Sequence, residues 1–305
     1  MDVVYILHPC VCDGTKTMTT RLQNASAQIL QTFGEGPRVL TLADIQQIFR
    51  DNREAWQLPQ RLTQQEFIEF LSDDGDLKTY HLEFPHRPYL RYTWGEADLA
   101  DVVQSVNLRG YFSHFTALQH HSLTEQLPKT IYFNIEQRLT GGGTEPSQRG
   151  IDHAFQRKCR VSQNLVALEN WTIRLLNGRN TGELGVVQTE RDGVSSLRYT
   201  DIERTLIDVT VRPIYSGGPF QVAEAFEAAE PMLNVKRLVE YLRKLNYTYP
   251  YHQAIGYYID RSGKYSAGQL ALLRDFEMRY DFYLDYGLKQ TDYIKDWRLH
   301  VPKGF

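Results

Sequence analysis

The sequence is poor in the residues and patterns that mark the commoner functional classes. Three cysteines, Cys10, Cys12 and Cys159, serve 305 residues. So odd and small a number excludes a disulfide framework and fits a reducing compartment. Cys10 and Cys12 stand one residue apart, where zinc and thioredoxin-like pairs need two between them, so with His8 they make no metal motif unaided. No apolar run approaches the ~20 residues that span a bilayer, so no membrane partner is expected. The apolar start follows Asp2 with no basic segment before it, which predicts a buried first strand in place of a signal peptide and a cytoplasmic protein.

Catalytic signatures are missing too. There is no GxSxG, no HExxH and no phosphate-binding loop. His114, His120 and His121 lie near one another, but at no zinc-ligand spacing. The glycine-rich stretch GGGTEPSQRG at 141–150 has neither a following Lys-Ser/Thr pair nor GxGxxG spacing, and reads as a surface loop. Asp152, Glu169 and Asp208 offer the carboxylates of a metal-dependent nuclease, yet no Glu-x-Lys follows on a strand. The expectation is a protein without catalytic residues, metal or cofactor.

What is present is a globular composition, 42% hydrophobic and 23% charged, with charge unevenly spread. Residues 1–95 hold 9 Lys+Arg against 12 Asp+Glu (−3), residues 96–233 hold 13 against 17 (−4), and residues 234–305 hold 12 against 8 (+4). Only the C-terminal part is basic, and phosphate contacts need cations.

The order of elements is more informative. Leu22, Ala25, Ile29, Leu30 and Phe33 recur at helical spacing before the break GEGP. A second helix starts near Thr41, with Asp44 three residues on. A third starts at Thr63, with Glu66 in the same relation, and buries Phe67, Ile68, Phe70 and Leu71. LKTYHLEF and YLRYTW then read as a hairpin. Three helices and a hairpin over 1–95 is the order of a winged helix-turn-helix domain, preceded here by an extra N-terminal strand. Candidate DNA contacts are Arg61, Gln64 and Gln65 at the start of the third helix, with Lys78, Arg87 and Arg91 on the wing. They are equally compatible with ordinary solvated positions.

Residues 96–305 read as a mixed α/β domain, so the fold class is α+β. YFSHFTALQHHSL suggests a helix with Ser113 as a cap, followed by a strand at Thr130–Ile135. From Asp152 short strands and turns alternate, including Val161–Leu168 and Trp171–Leu176. The run YTDIERTLIDVTVRPIYSGG at 199–218 then pairs Thr200 with Glu203 in a capping-box pattern. It sets Ile202, Leu206, Ile207 and Val211 on one side of a helix that Pro213 and Gly217-Gly218 terminate. Glu203, Arg204 and Asp208 are expected to be structural charges, with Arg204 and Asp208 partly buried and paired. NVKRLVEYLRKLN is an amphipathic helix whose basic residues Lys236, Arg237, Arg243 and Lys244 offer a surface to nucleic acid or an acidic partner, or simply to solvent. Helices at Tyr251–Ile259 and Ala267–Phe276 and two strands complete the chain. Ten of the 19 tyrosines fall between Tyr247 and Tyr293, a density that suits either an interface or the rim of a small core.

Three segments resemble the AbiEi family of antitoxins from type IV toxin–antitoxin systems. YFSHFTALQHHSLTEQLPKTIYFN at 111–134 is similar to that family's Tyr-x-Ser-x-x-x-Ala-Leu…Gly-Leu-Thr-(Asp/Glu)-Gln-x-Pro segment, with Ser122 where Gly is common. DIERTLIDVTVRPIYSGGPFQVAEAF at 201–226 resembles its Glu-Arg-Thr-Leu-x-Asp helix ending in Gly-Gly. The tail, a helix pair plus strands, is the third. The resemblance spans roughly 20–300 and its motifs are structural. It implies an N-terminal winged-helix domain that represses its own operon on operator DNA. It also implies a C-terminal domain that counteracts a nucleotidyltransferase toxin of the AbiEii kind, directly or indirectly. A stand-alone winged-helix transcriptional regulator is the alternative.

Overall fold

The structure, a computed structural model, describes residues 14–138, 145–191 and 195–305; His8, Cys10, Cys12 and the expected first strand lie outside them. The chain divides into two compact units. The first comprises Met1–Leu82 and Tyr89–Ser105, the second Glu83–Pro88 and Val106–Phe305.

In the first unit the order is α1 (Gly14–Gly34), β1 (Val39–Leu40), α2 (Leu42–Asn52), α3 (Gln64–Asp73), β2 (Leu77–Leu82), β3 (Tyr89–Trp94) and α4 (Leu99–Gln104). Both capping boxes exist: Thr41 with Asp44, and Thr63 with Glu66, each side chain accepting from or bonding to the other's backbone N–H. These fix where α2 and α3 begin. Ile29, Phe33, Ile45, Phe49, Phe67 and Leu71 then meet in one apolar core, with Phe49 stacked on Phe67 at 4.5 Å. Between α2 and α3, Arg53 donates to the carbonyls of Pro59, Gln60 and Leu62 and so shapes the turn. The strands form an antiparallel sheet in the order β1-β3-β2, with Leu77 opposite Trp94 and Leu82 opposite Tyr89. The short β1 has too few residues to show a period.

The second unit is built on a six-stranded mixed sheet. Its strands are β4 (Tyr111–Phe112), β5 (Thr130–Asn134), β6 (Leu165–Leu168), β7 (Trp171–Leu176), β8 (Val186–Arg191) and β9 (Ser195–Thr200), in the order β6-β7-β5-β4-β9-β8. β5–β7 and β4–β9 are parallel and the other pairs antiparallel. Helices α5 (His114–His120), α6 (Gln148–Phe155), α7 (Ile202–Val211), α8 (Pro219–Ala229), α9 (Val235–Leu245), α10 (Tyr251–Ser262) and α11 (Ala267–Arg274) accompany it. A three-stranded sheet of β10 (Phe282–Tyr283), β12 (Leu299–Pro302) and β11 (Thr291–Ile294) closes the chain. Most of the core lies among the helices, where Leu206, Val222, Phe226, Leu238, Ile255, Tyr258 and Trp297 are buried together.

Several expectations need correction. Tyr111–Phe112 is a strand, and Ser113 stands at the N-cap of α5 without a side-chain cap bond; its hydroxyl lies 2.9 Å from His114 Nδ1. A helix, α6, stands where turns and strands were expected, because Ile151 and Phe155 bury one face and Ser147 caps it. β6 begins at Leu165, four residues later than expected, and the tail has three strands where two were expected. Thr200 ends β9; the cap of α7 is Asp201, which accepts from Arg204 N–H at 2.8 Å. Among the described residues no helix is long and apolar enough to cross a membrane.

Candidate functional site

The candidate DNA face of the first unit separates into exposed and committed residues. Gln64 and Gln65 stand exposed in the first turn of α3, Gln65 bonded to Glu69 at 3.1 Å, and Arg61 is exposed just before them. Glu66 faces inward on its own helix start, and the Thr63 hydroxyl and N–H hold its carboxyl below the usual carboxylate range. Lys78 on β2 reaches Glu96 at 3.4 Å, in an exposed pair. Arg91 is committed: its guanidinium donates to Ser105 Oγ and Ser105 O, at the end of α4, and lies 5.3 Å from the Tyr89 ring. Arg87 belongs with the second unit. Arg61, Gln64, Gln65 and Lys78 thus lie on the surface of the first unit, while the Arg91 guanidinium is engaged with Ser105.

The second unit contains a polar hub on α7. Arg204, 4% exposed, pairs through Nε with Asp208 Oδ1 at 2.8 Å. Its Nη1 donates to Leu184 O at 2.6 Å and to Thr181 Oγ1 at 3.0 Å, and Nη2 lies 3.5 Å from Tyr111 Oη. Burial opposes its charge, but Asp208 and the surrounding acceptors hold the guanidinium above its ordinary pKa. Tyr111 Oη donates on to Glu136, which also takes Thr181 N–H and Glu183 N–H. Although burial pushes the other way, the Thr181 bonds keep Glu136 below the carboxylate norm. Gly185, at φ 74, permits the approach; a Cβ there would lie 2.6 Å from Arg204 Cβ. Each nitrogen of Arg204 thus has a partner within the protein, Nη2 through one contact at 3.5 Å.

Glu203 sits at 0% exposure on the same helix. It accepts Asn234 N–H at 2.9 Å and the guanidinium of Arg237, and so fastens α7 to the start of α9. Arg237 is therefore a structural partner. Arg243 is tied to Asp275 at 2.8 Å and lies over the Phe276 ring. All four basic residues of α9 are exposed, Arg237 and Arg243 within ion pairs, and Lys236 lines an open groove of about 590 Å³ with Met232, Leu233, Gln269 and Leu272.

The histidines do not make a site together. His114 adopts φ 53 and is buried edge-on to Tyr215. Burial pushes its pKa down to about 4, so it is neutral at neutral pH. His120 stacks on Tyr199 at 3.8 Å, and His121 Nε2 lies 2.6 Å from Thr200 O. The three carboxylates weighed for a nuclease have other occupations. Asp152 accepts from Gln148 and Tyr283, Asp208 holds Arg204, and Glu169 is in an exposed turn at φ 52. Among the described residues no group of three His, Cys, Asp or Glu side chains could hold a metal ion.

Sequence reasoning did not find Arg53, Tyr111, Glu136 or Arg212, whose roles depend on partners distant in the chain. It also passed over Arg157-Lys158-Cys159-Arg160, which is visible as a local basic run. Ser122 adopts φ 57, the left-handed conformation that glycine takes without strain.

No family model matches the chain, and no curated protein matches it. Among solved structures, the crystal structure of the RV2827C protein from Mycobacterium tuberculosis is similar, with a TM-score of 0.57 over 92% of this chain and 91% of that one, at 13% identity. At that identity the likeness concerns the fold, a mixed α+β architecture over nearly the whole chain.

Proposed function

We propose that the protein is a non-enzymatic, cytoplasmic antitoxin and autoregulator. The first unit is read as a winged helix that binds operator DNA of its own promoter. The second unit is read as the part that counteracts a nucleotidyltransferase toxin of the AbiEii kind. The observation that carries the reading is the order α1-β1-α2-α3-β2-β3, with the exposed Gln64-Gln65 pair in the first turn of α3. A glutamine amide at the start of a recognition helix can pair with adenine N6 and N7 in the major groove. The segments that resemble the antitoxin family supply the second half: 111–134 and 201–226 form β4, α5, β5, α7 and much of α8, the frame of the second unit. The polar hub supports a non-catalytic role for α7, because its charges are consumed by one another.

The test is co-expression with a nucleotidyltransferase toxin of the AbiEii kind. Restored growth supports the antitoxin reading; continued growth arrest at equal expression removes it. A gel shift on its own promoter separates this from a stand-alone regulator, which would bind DNA and leave the toxin active.

A further inference from the structure

The surface arginines of the second unit are mostly neutralised by carboxylates. Arg109 pairs with Glu183, Arg243 with Asp275, Arg261 with Glu227, Arg274 with Asp260, Arg279 with Glu145 and Arg298 with Asp281. Arg138, Arg149 and Arg179 are exposed outside any ion pair among the described residues, and the bend after α6 brings three such cations into four positions. Arg157, Lys158 and Arg160 are all exposed, and among the described residues none of them is in an ion pair.

The bend is anchored. Phe155 O, at the end of α6, accepts Gly287 N–H at 2.6 Å, and Gly287 lies against the backbone of Arg157 and Lys158. Cys159 turns inward between the exposed cations and is half-buried. Behind it, Arg212 Nη1 donates to Tyr286 Oη at 2.7 Å and lies 3.7 Å from Cys159 Sγ. The partners of this half-buried guanidinium are neutral, and among the described residues it has no carboxylate within salt-bridge distance. Asp285, whose charge acts on Cys159, accepts Tyr286 N–H, and burial raises its pKa. Burial opposes the charge of Arg212, and Tyr286, Tyr251 and Cys159 hold its pKa above the ordinary value. An anion from outside supplies the counter-charge that these neutral partners do not.

The charge of each unit decides which anion. The first unit holds 8 Lys+Arg against 14 Asp+Glu, a net −6, and the second 26 against 23, a net +3. A DNA-binding protein draws much of its affinity from phosphate contacts, and a unit at −6 is poorly supplied to make them. Exposed cations on an open bend suit an extended polyanion better than a small anion that needs enclosure. We propose that Arg157, Lys158, Arg160 and Arg212 form a phosphate-backbone contact for duplex DNA on the second unit. The inference rests on the DNA-binding half of the reading above and relocates its electrostatic weight.

The experiment titrates a labelled duplex of arbitrary sequence with the full chain over a range of salt concentrations. It compares the wild type, R157A/K158A/R160A, and the control K264A/K295A/K303A, which removes the same charge elsewhere on the second unit. Each phosphate contact contributes a slope of about 0.9 in log K against log salt. The first variant is expected to lose about 2.7 of slope with an unchanged thermal midpoint, and the control less than about 1. An unchanged slope in the first variant, or equal losses in both, overturns the assignment while leaving DNA binding intact. A wild type that binds no duplex, or binds polyglutamate instead, overturns the assignment and the DNA-binding half together.

Discussion

The two units handle charge in opposite ways. The first keeps most of its ionisable groups at the surface or in helix caps, Asp101 being a buried exception, over a core of Phe33, Phe49, Phe67 and Leu71. The second buries Glu203, Arg204 and Asp208 at 0%, 4% and 7% exposure and closes them into pairs. A helix start defined by a capping box is a local device and depends on a few neighbours in sequence. A helix start locked by buried ion pairs depends on segments from across the fold, here β4, the loop before β8, and α9. Removing one partner of such a pair is costly because the other stays buried and uncompensated.

That contrast can be broken in order of expected effect. Arg204→Ala strands Asp208 and removes the link to Leu184 and Thr181, so a loss of about 3–5 kcal/mol is expected in denaturant unfolding of the second unit. The double variant R204M/D208L should recover much of it; a single-variant loss below about 1 kcal/mol would show that the hub carries no load. Next comes pH. His114 is held neutral with its pKa lowered from 6.5 to about 4. The unfolded chain takes up this proton as pH falls through about 6.5, and the folded chain resists until about 4. Stability is therefore full above that window and declines through it, by about 3 kcal/mol for this group. His114→Asn, which tolerates the positive φ, should flatten the decline; an identical profile in the variant would discount the histidine.

Smaller effects belong to the first unit. Thr63→Ala removes the cap of α3 and should cost about 1 kcal/mol, confined to the first unit's transition. A broad loss of stability in the second unit would contradict the separation of the two. Lys78→Ala breaks a pair whose side chains are 51% and 97% exposed, so thermal denaturation should show a change under about 0.5 kcal/mol.

The same contrast explains what could be read from sequence. The starts of α2 and α3 were legible because Thr41–Asp44 and Thr63–Glu66 are contiguous signals, and the buried face of α9 because Val235, Leu238, Val239, Leu242 and Leu245 keep one period. Arg204 and Asp208 could be paired from their i,i+4 spacing. Their further partners, Tyr111, Thr181 and Leu184, are set by the order of the sheet, and no local pattern announces them. Thr200 mimicked a cap because it stands three residues before Glu203. In the structure Thr200 belongs to a strand, and Glu203 is drawn away to Asn234 and Arg237. Ser147 and the Ile151–Phe155 pair could have shown α6, but the glycine-rich stretch ahead of it drew the reading towards a loop. The surface candidates suffered in the same way. Arg91 and Arg237 look free in sequence and are consumed in the fold.

The most direct measurement follows growth and promoter activity in the same cells. These carry a nucleotidyltransferase toxin of the AbiEii kind, a reporter driven by the protein's own promoter, and either wild-type protein or Q64A/Q65A. Wild type is expected to restore growth and silence the reporter, and the variant to restore growth with the reporter active. Arrested growth with well-expressed wild-type protein would contradict the antitoxin reading, and a reporter equally silent in both would contradict DNA reading by α3.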